Sequence, residues 1–236
     1  MKTHAYRPIP LALTTLIAVF AALVALAASG GHDASAHGDA THQMSSPMSS
    51  TTSTIVSAKQ LALRLEMRRL WHEHTEWTRL AIVSLTTDAP DTQATVARLL
   101  RNQSDIGNAI KPFYGAAAGN QLTTLLRQHI AIAADLIAAA RKGDEAGTVA
   151  QQKRWNDNAD RIAALLSSAN RRSWKPEETK AMMRAHLLLT TDEVVARLQG
   201  RWADDVRIYD RVERQIRNMA DMLSDGLVAQ FPARFS

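Results

Sequence analysis

Three histidines each stand fourteen residues ahead of a turn-forming residue: His74 before Asp88, His129 before Gly143 and His186 before Gly200. Neutral imidazole is the commonest metal ligand, and helical bundles carry metal sites on facing helices. On a helical wheel His74 falls in the middle of Met67, Leu70, Trp71, Thr78 and Ala81. His129 falls among Leu122, Leu125, Leu126, Ile132, Ala133 and Leu136, and His186 on the side of Met182, Ala185 and Leu189. All three are expected to face a core at matching heights. One reading is a copper or zinc site. The other is structural: a buried imidazole donates to a carbonyl or carboxylate and fixes register.

A second group is compositional. Residues 29–54 are dominated by Ser, Thr, Gly, Ala and Asp, and His32, His37, His42, Met44 and Met48 stand among them. Such a segment has too little apolar surface to pack, so it is expected to be a disordered linker over 29–56. Imidazole suits copper, zinc or nickel and thioether suits Cu(I), so the tract could capture metal weakly.

Other chemistries are excluded or unsupported. There is no cysteine, which removes disulfides, zinc-thiolate sites, c-type haem attachment and a thiol nucleophile. H-E-x-x-H and E-x-x-H are absent, so a ferritin-like di-iron site lacks its ligands. His72 and His74 lie two apart and cannot chelate from one helix; His72 is expected to face solvent or a partner. No glycine-rich phosphate loop or G-x-S-x-G is present, so no catalytic residues are assigned. The carboxylate pairs Glu177-Glu178, Asp192-Glu193 and Asp204-Asp205 read as helix N-termini or solvated faces. The net charge of +5 comes from basic residues interleaved with acids, which does not suggest nucleic-acid binding. Trp71, Trp77, Trp155 and Trp202 read as core or groove aromatics.

The elements that position the histidines are helices. Composition is 46% hydrophobic, 22% charged and 5% aromatic, with few Gly and Pro, which disfavours a turn-rich β protein. Ser57-x-x-Gln60 is a capping-box start. Pro90, Pro112, Pro176 and Pro232 mark breaks, as do Gly115, Gly119, Gly143 and Gly200. Six helices are predicted, near 57–87, 90–111, 119–142, 145–169, 176–199 and 202–229. Asp105, Asp160 and Asp221 follow the turns at related distances, in the echoing strings Asn102-Gln-Ser-Asp105, Asp157-Asn-Ala-Asp160 and Asn218-Met-Ala-Asp221. They lie off the main apolar stripes, and an i,i+4 pair with Arg101 is the simplest reading of Asp105. The prediction is an all-α domain over 57–232, a six-helix bundle of three repeated antiparallel αα-hairpins (57–111, 119–169 and 176–229).

Residues 8–31 carry no charge, with Lys2 and Arg7 before them. Residues 1–28 therefore read as a secretory signal peptide, with Ala25-Leu26-Ala27 as a cleavage site, or as an N-terminal membrane anchor through residues 8–28. Either places the rest in the periplasm or on the extracytoplasmic face.

The strings Leu70-Trp-His-Glu-His-Thr-Glu-Trp-Thr-Arg79 and Asn102-Gln-Ser-Asp-Ile-Gly-Asn-Ala-Ile-Lys-Pro-Phe-Tyr-Gly115 resemble those of a bacterial family of small all-helical proteins, over most of residues 60–232. Some members carry the label acetylglutamate kinase. That activity needs an α/β fold with glycine-rich phosphate loops, and neither is visible in this sequence. The resemblance implies the helical fold and no mechanism. The sequence is thus read as an exported, non-enzymatic helical binding module for a transition metal. The alternatives are a scaffold for a protein or lipid partner with structural histidines, and a His/Asp-dependent enzyme.

Overall fold

The computed structural model of the chain describes residues 56–236. The predicted signal or anchor, the linker before residue 56, and with it His32, His37, His42, Met44 and Met48 lie outside the described residues. Five α-helices follow one another: α1 (Ala58–Thr87), α2 (Thr92–Lys142), α3 (Glu145–Ala169), α4 (Pro176–Leu198) and α5 (Trp202–Gln230). A 3-10 turn, Pro232–Arg234, closes the chain, and no strand occurs among the described residues.

Local chemistry explains the boundaries. Ser57 Oγ accepts from the Gln60 backbone N–H at 3.2 Å, capping the start of α1. Asp144 caps α3 in the same way through Gly147 N at 2.9 Å. Pro176 occupies the first turn of α4, where its missing N–H has no intrahelical partner to lose. The three predicted turn residues all take the left-handed conformation: Asp88 has φ 57°, Gly143 φ 70° and Gly200 φ 68°.

One boundary differs from the sequence expectation. The break expected between the predicted helices 90–111 and 119–142 falls at Gly115 (φ 81°, ψ 170°): one helical arm runs on through Pro112 to residue 114, and a second, 116–142, leaves the kink, the two being numbered together as α2. Proline gives up one hydrogen bond, but its φ still suits a helix. Glycine supplies the positive φ that bends the chain. The two arms of α2, 92–114 and 116–142, then approach so closely that Gly107 and Gly119 meet. A Cβ on either would stand 2.6 Å from the other's carbonyl oxygen.

The helices close a ring of neighbours. α1 packs on α2 and α5, α2 on α3, α3 on α4, and α4 on α5. The main core gathers Met67, Leu70 and Trp71 with Leu122, Leu125 and Leu126, and with Ile162, Met183 and Ile216 from the remaining helices. Two smaller clusters lie nearer the turns. One is Ala81, Leu99 and Ile130; the other is Ile82, Ile137 and Val194. The three histidines lie between the main core and these clusters.

Candidate functional site

His74, His129 and His186 are each 3–4% exposed and line one cavity of about 40 Å³. Each sits on a helix stripe that contributes three residues to the wall at i, i+4 and i+8: His74-Thr78-Ile82, His129-Ala133-Ile137 and His186-Thr190-Val194. These positions share a helix face because 3.6 residues make a turn. The wall therefore has layers: imidazoles, then small side chains, then the Ile82–Ile137–Val194 cluster. Thr191, Leu136, Ile130, Ala140 and Trp155 complete it. The volume admits a few water-sized groups and is far too small for a porphyrin.

Every histidine is held through Nδ1 by a side-chain amide 29 residues later. His129 Nδ1 lies 2.8 Å from Asn158 Oδ1, and His186 Nδ1 lies 3.2 Å from Gln215 Oε1. Both oxygens can only accept, so both rings carry their hydrogen on Nδ1 and keep a lone pair on Nε2. The amides are themselves fixed. Asn158 Nδ2 donates to the Leu125 carbonyl and Gln215 Nε2 to the Met182 carbonyl, each four residues before the histidine it holds. Around His74 the work is divided. Asn102 Nδ2 donates to the Leu70 carbonyl, and Gln103 Nε2 lies 3.2 Å from His74 Nδ1. A nitrogen of an amide only donates, so His74 accepts at Nδ1 and carries its hydrogen on Nε2. Gln103 Oε1 is buried without a partner.

Burial keeps these rings neutral. It pushes His129 down to about 3 and His186 down to about 4, with only small opposing help from their amide partners. His74 is lowered well below the ordinary value by burial, then by repulsion from protonated His186 and His129. The rings of His74 and His186 are 5.7 Å apart, and His129 lies 5.1 Å from the ring of Trp155. Two imidazoles on one tetrahedral ion have ring centres about 5 Å apart, given metal–nitrogen bonds of about 2.0 Å. Among the described residues no three His, Cys, Asp or Glu side chains are grouped as a ready-made metal cage. Three polar atoms on lining residues are buried without a partner: His129 Nε2, Thr78 Oγ1 and Trp155 Nε1.

A second buried constellation lies one residue along the chain from the cavity wall. Arg79 Nη1 donates to Glu193 Oε1 at 2.6 Å and to Asp205 Oδ1 at 2.7 Å, and Nη2 donates to Asp205 Oδ2 at 2.9 Å. Arg197 Nη1 adds a bond to Asp205 Oδ2 at 3.1 Å. Arg79 stacks on Tyr209 and Arg197 on Trp202. Glu193 and Asp205 are each 1% exposed; this corrects the expected solvated face for Glu193, whereas Asp205 stands in the first turn of α5, the helix N-terminus expected of it. Two guanidiniums, one of them 114 residues away from Glu193, make that burial tolerable. Burial raises Glu193 to about 7 against the pull of Arg79. Asp205 also feels burial, but Arg79 and Arg197 hold it below its ordinary value.

The other predicted residues disperse. His72 is half exposed, and its Nδ1 meets Glu213 Oε2 at 2.9 Å. Asp160 joins α3 to α4 through Arg184 at 2.7 Å, and Asp221 joins α5 to α1 through Arg68 at 2.7 Å. No pair of Asp105 with Arg101 occurs among the described residues. None of these aspartates lines the histidine cavity. Trp71 and Trp155 are buried and Trp77 is half-buried, whereas Trp202 is 57% exposed beneath Arg197. Ala185, expected beside His186, is exposed; Met183, Leu187 and Thr190 share the buried side.

Thr78 lines the cavity on the stripe expected of it, but the amides and Thr190 were not picked out from the sequence. The i+29 and i+4 offsets from each histidine would have found them. The echo at Asn218 misplaced the third copy: Asn218 is exposed and Gln215 occupies the equivalent place. No protein-family model, no curated protein and no solved structure matches this chain.

Proposed function

We propose that this chain is a helical binding module that holds one transition-metal ion, copper or zinc, on His74, His129 and His186. The observation that carries this reading is the shared cavity: three neutral imidazoles line it, each fixed by an amide 29 residues on. Metal-ligating histidines commonly have the second ring nitrogen hydrogen-bonded in this way, which sets tautomer and ring orientation. His129 and His186 present Nε2 lone pairs already. For His74, turning the Gln103 amide over lets the unpartnered Oε1 accept from Nδ1–H and frees Nε2 as a ligand. That turn gives up the Gln103 bonds to Leu99 O at 2.9 Å and Asn102 Oδ1 at 3.2 Å.

The matched offsets also support reading the domain as a six-helix bundle of three αα-hairpins, 57–111, 119–169 and 176–229, each carrying one histidine and its amide. In this reading the N-terminal segment exports the chain to the cell envelope. His32, His37, His42, Met44 and Met48 then act as a low-affinity capture arm for the same ion.

A second reading is favoured by the lack of a ready-made cage among the described residues. In it the chain is a scaffold for a protein or lipid partner, and the imidazole–amide pairs only fix helix register. Thermal unfolding of the full chain separates the two. Under the metal reading one equivalent of Zn²⁺ or Cu⁺ raises the melting temperature, because a ligand that binds the folded state stabilises it. The rise disappears in His129→Gln and persists when the linker histidines are replaced. A melting temperature indifferent to metal sinks the metal reading.

A further inference from the structure

The bundle has two ends of unlike charge. At one end the start of α1, the Gly115 kink, the loop after α3 and the end of α5 meet. Ser57 Oγ donates to the Phe235 carbonyl at 2.5 Å, Arg234 Nη1 to the Pro112 carbonyl at 2.8 Å and Gln230 Nε2 to the Ala169 carbonyl at 3.0 Å. The turns at Asp88, Gly143 and Gly200 form the other end. The first end carries Lys59, Lys111, Arg171, Arg172, Lys175 and Arg234 against Glu177, Glu178 and the terminal carboxylate. Of these cations only Lys175 is paired with an acidic side chain among the described residues, Glu178 at 2.8 Å. The turn end is the reverse: Asp88, Asp91, Asp144, Glu145, Asp204 and Asp205 stand against Arg141, Lys142, Arg197 and Arg201. Apolar groups gather at the basic end too. Val56 and Leu61 are 45% and 51% exposed. Half-buried Phe113 and Phe231 lie beneath the Arg234 guanidinium, and Tyr114 packs edge-on against Phe231. Cations set among aromatic rings and aliphatic tips are the composition that seats a protein in a lipid headgroup layer.

We propose that this end of the bundle docks on an anionic bilayer surface, with Lys111, Arg171 and Arg172 on headgroup phosphates and Val56 and Leu61 at the edge of the acyl layer. The place of this end in the chain favours a membrane over a protein partner. It is where the chain enters the domain, and only residues 32–55 separate Val56 from the uncharged stretch 8–31. Fully extended, those residues span about 80 Å at most. A chain anchored through its N-terminal stretch therefore tethers this end to the bilayer and raises its effective concentration there. The acidic turn end is repelled by the same surface, so the two charges orient the bundle. The histidine cavity, on the turn side of the main core, then lies away from the bilayer. The inference is independent of the metal reading and holds whether or not the cavity binds an ion.

The chain has no cysteine, so one introduced thiol carries one label. Ala117→Cys at the basic end and Thr87→Cys at the turn end are both at exposed positions. Each is labelled with an environment-sensitive fluorophore in the full chain and mixed with vesicles of phosphatidylglycerol or of phosphatidylcholine. With phosphatidylglycerol the label at 117 should shift to the blue and be shielded from aqueous acrylamide, while the label at 87 stays unchanged. With phosphatidylcholine neither should change. Raising the ionic strength from about 0.05 M to about 0.5 M should reverse the shift, because the screening length shortens. Replacing both arginines, Arg171→Gln and Arg172→Gln, should lower the ratio of docked to free domain by about tenfold or more, since each basic residue at a charged leaflet contributes severalfold. The salt response reports even if that double variant is unstable. No shift at 117 overturns the inference. So does an equal shift with phosphatidylcholine, a shift at both labels, or one that the folded double variant leaves intact. A shift that appears without vesicles and grows with protein concentration means that this end pairs with a second copy, which overturns it as well.

Discussion

Two buried polar constellations stand side by side in this bundle and follow opposite rules. Thr78 faces the histidine cavity and Arg79 the ion cluster; Val194 lines the cavity and Glu193 enters the cluster. The cluster pairs guanidiniums with carboxylates, Arg79 and Arg197 converging on Asp205, although Arg197 Nε is left without a partner. The cavity keeps its groups neutral and leaves His129 Nε2, Thr78 Oγ1 and Trp155 Nε1 without protein partners. Buried groups that satisfy one another are a sign of structure. Buried groups held in a fixed orientation but unsatisfied point to a ligand.

The two regions should respond to acid in opposite senses. The histidines are lowered from about 6.5 in the unfolded chain. Their stabilisation is present above that value and lost as pH falls toward 4 and 3. Glu193 is raised to about 7, so its contribution is present below about 4.5 and lost as pH rises through 7. Three histidines outweigh one glutamate. The metal-free protein should be less stable at pH 4 than at pH 7, measured by urea unfolding at each pH. In Glu193→Gln the loss should be steeper, because the opposing contribution is gone. A flat profile would show that the rings are hydrated and protonated in the fold.

Next in size, Asp205→Ala leaves two guanidiniums without their shared carboxylate. It should cost about 3–5 kcal/mol in the same assay. Gln215→Leu should cost less in stability and act mainly on metal, weakening Zn²⁺ by about tenfold in a competition titration. Equal zinc affinity in that variant would mean the amide sets register alone. Smallest is Thr78→Val, which removes an unpaired hydroxyl. It should be neutral or stabilising by up to about 1 kcal/mol without metal.

The same comparison shows what the sequence could tell. The helix ends were legible because the chemistry is local: Ser57 and Asp144 cap, and Asp88, Gly143 and Gly200 take positive φ. The inward faces of His74 and His129 were legible from apolar spacing. The exact place of the break inside α2, at Gly115 and not at Pro112, was not, since proline alone does not say whether a helix bends or stops. Nor was the burial of Glu193 and Asp205, because their partner Arg79 lies 114 and 126 residues away. The amides were hidden differently. Asn102, Gln103, Asn158 and Gln215 vary in type while serving one geometric role, and the near-echo at Asn218 drew the third copy one turn too far.

The central claim is that the three imidazoles bind one ion together. X-ray absorption spectroscopy of the zinc-loaded chain, with His32, His37 and His42 replaced by serine, tests it most directly. The account predicts one zinc per chain, with three imidazole nitrogens and one further light ligand at about 2.0 Å. A zinc surrounded by water oxygens, or a protein that retains no zinc after desalting, would contradict it.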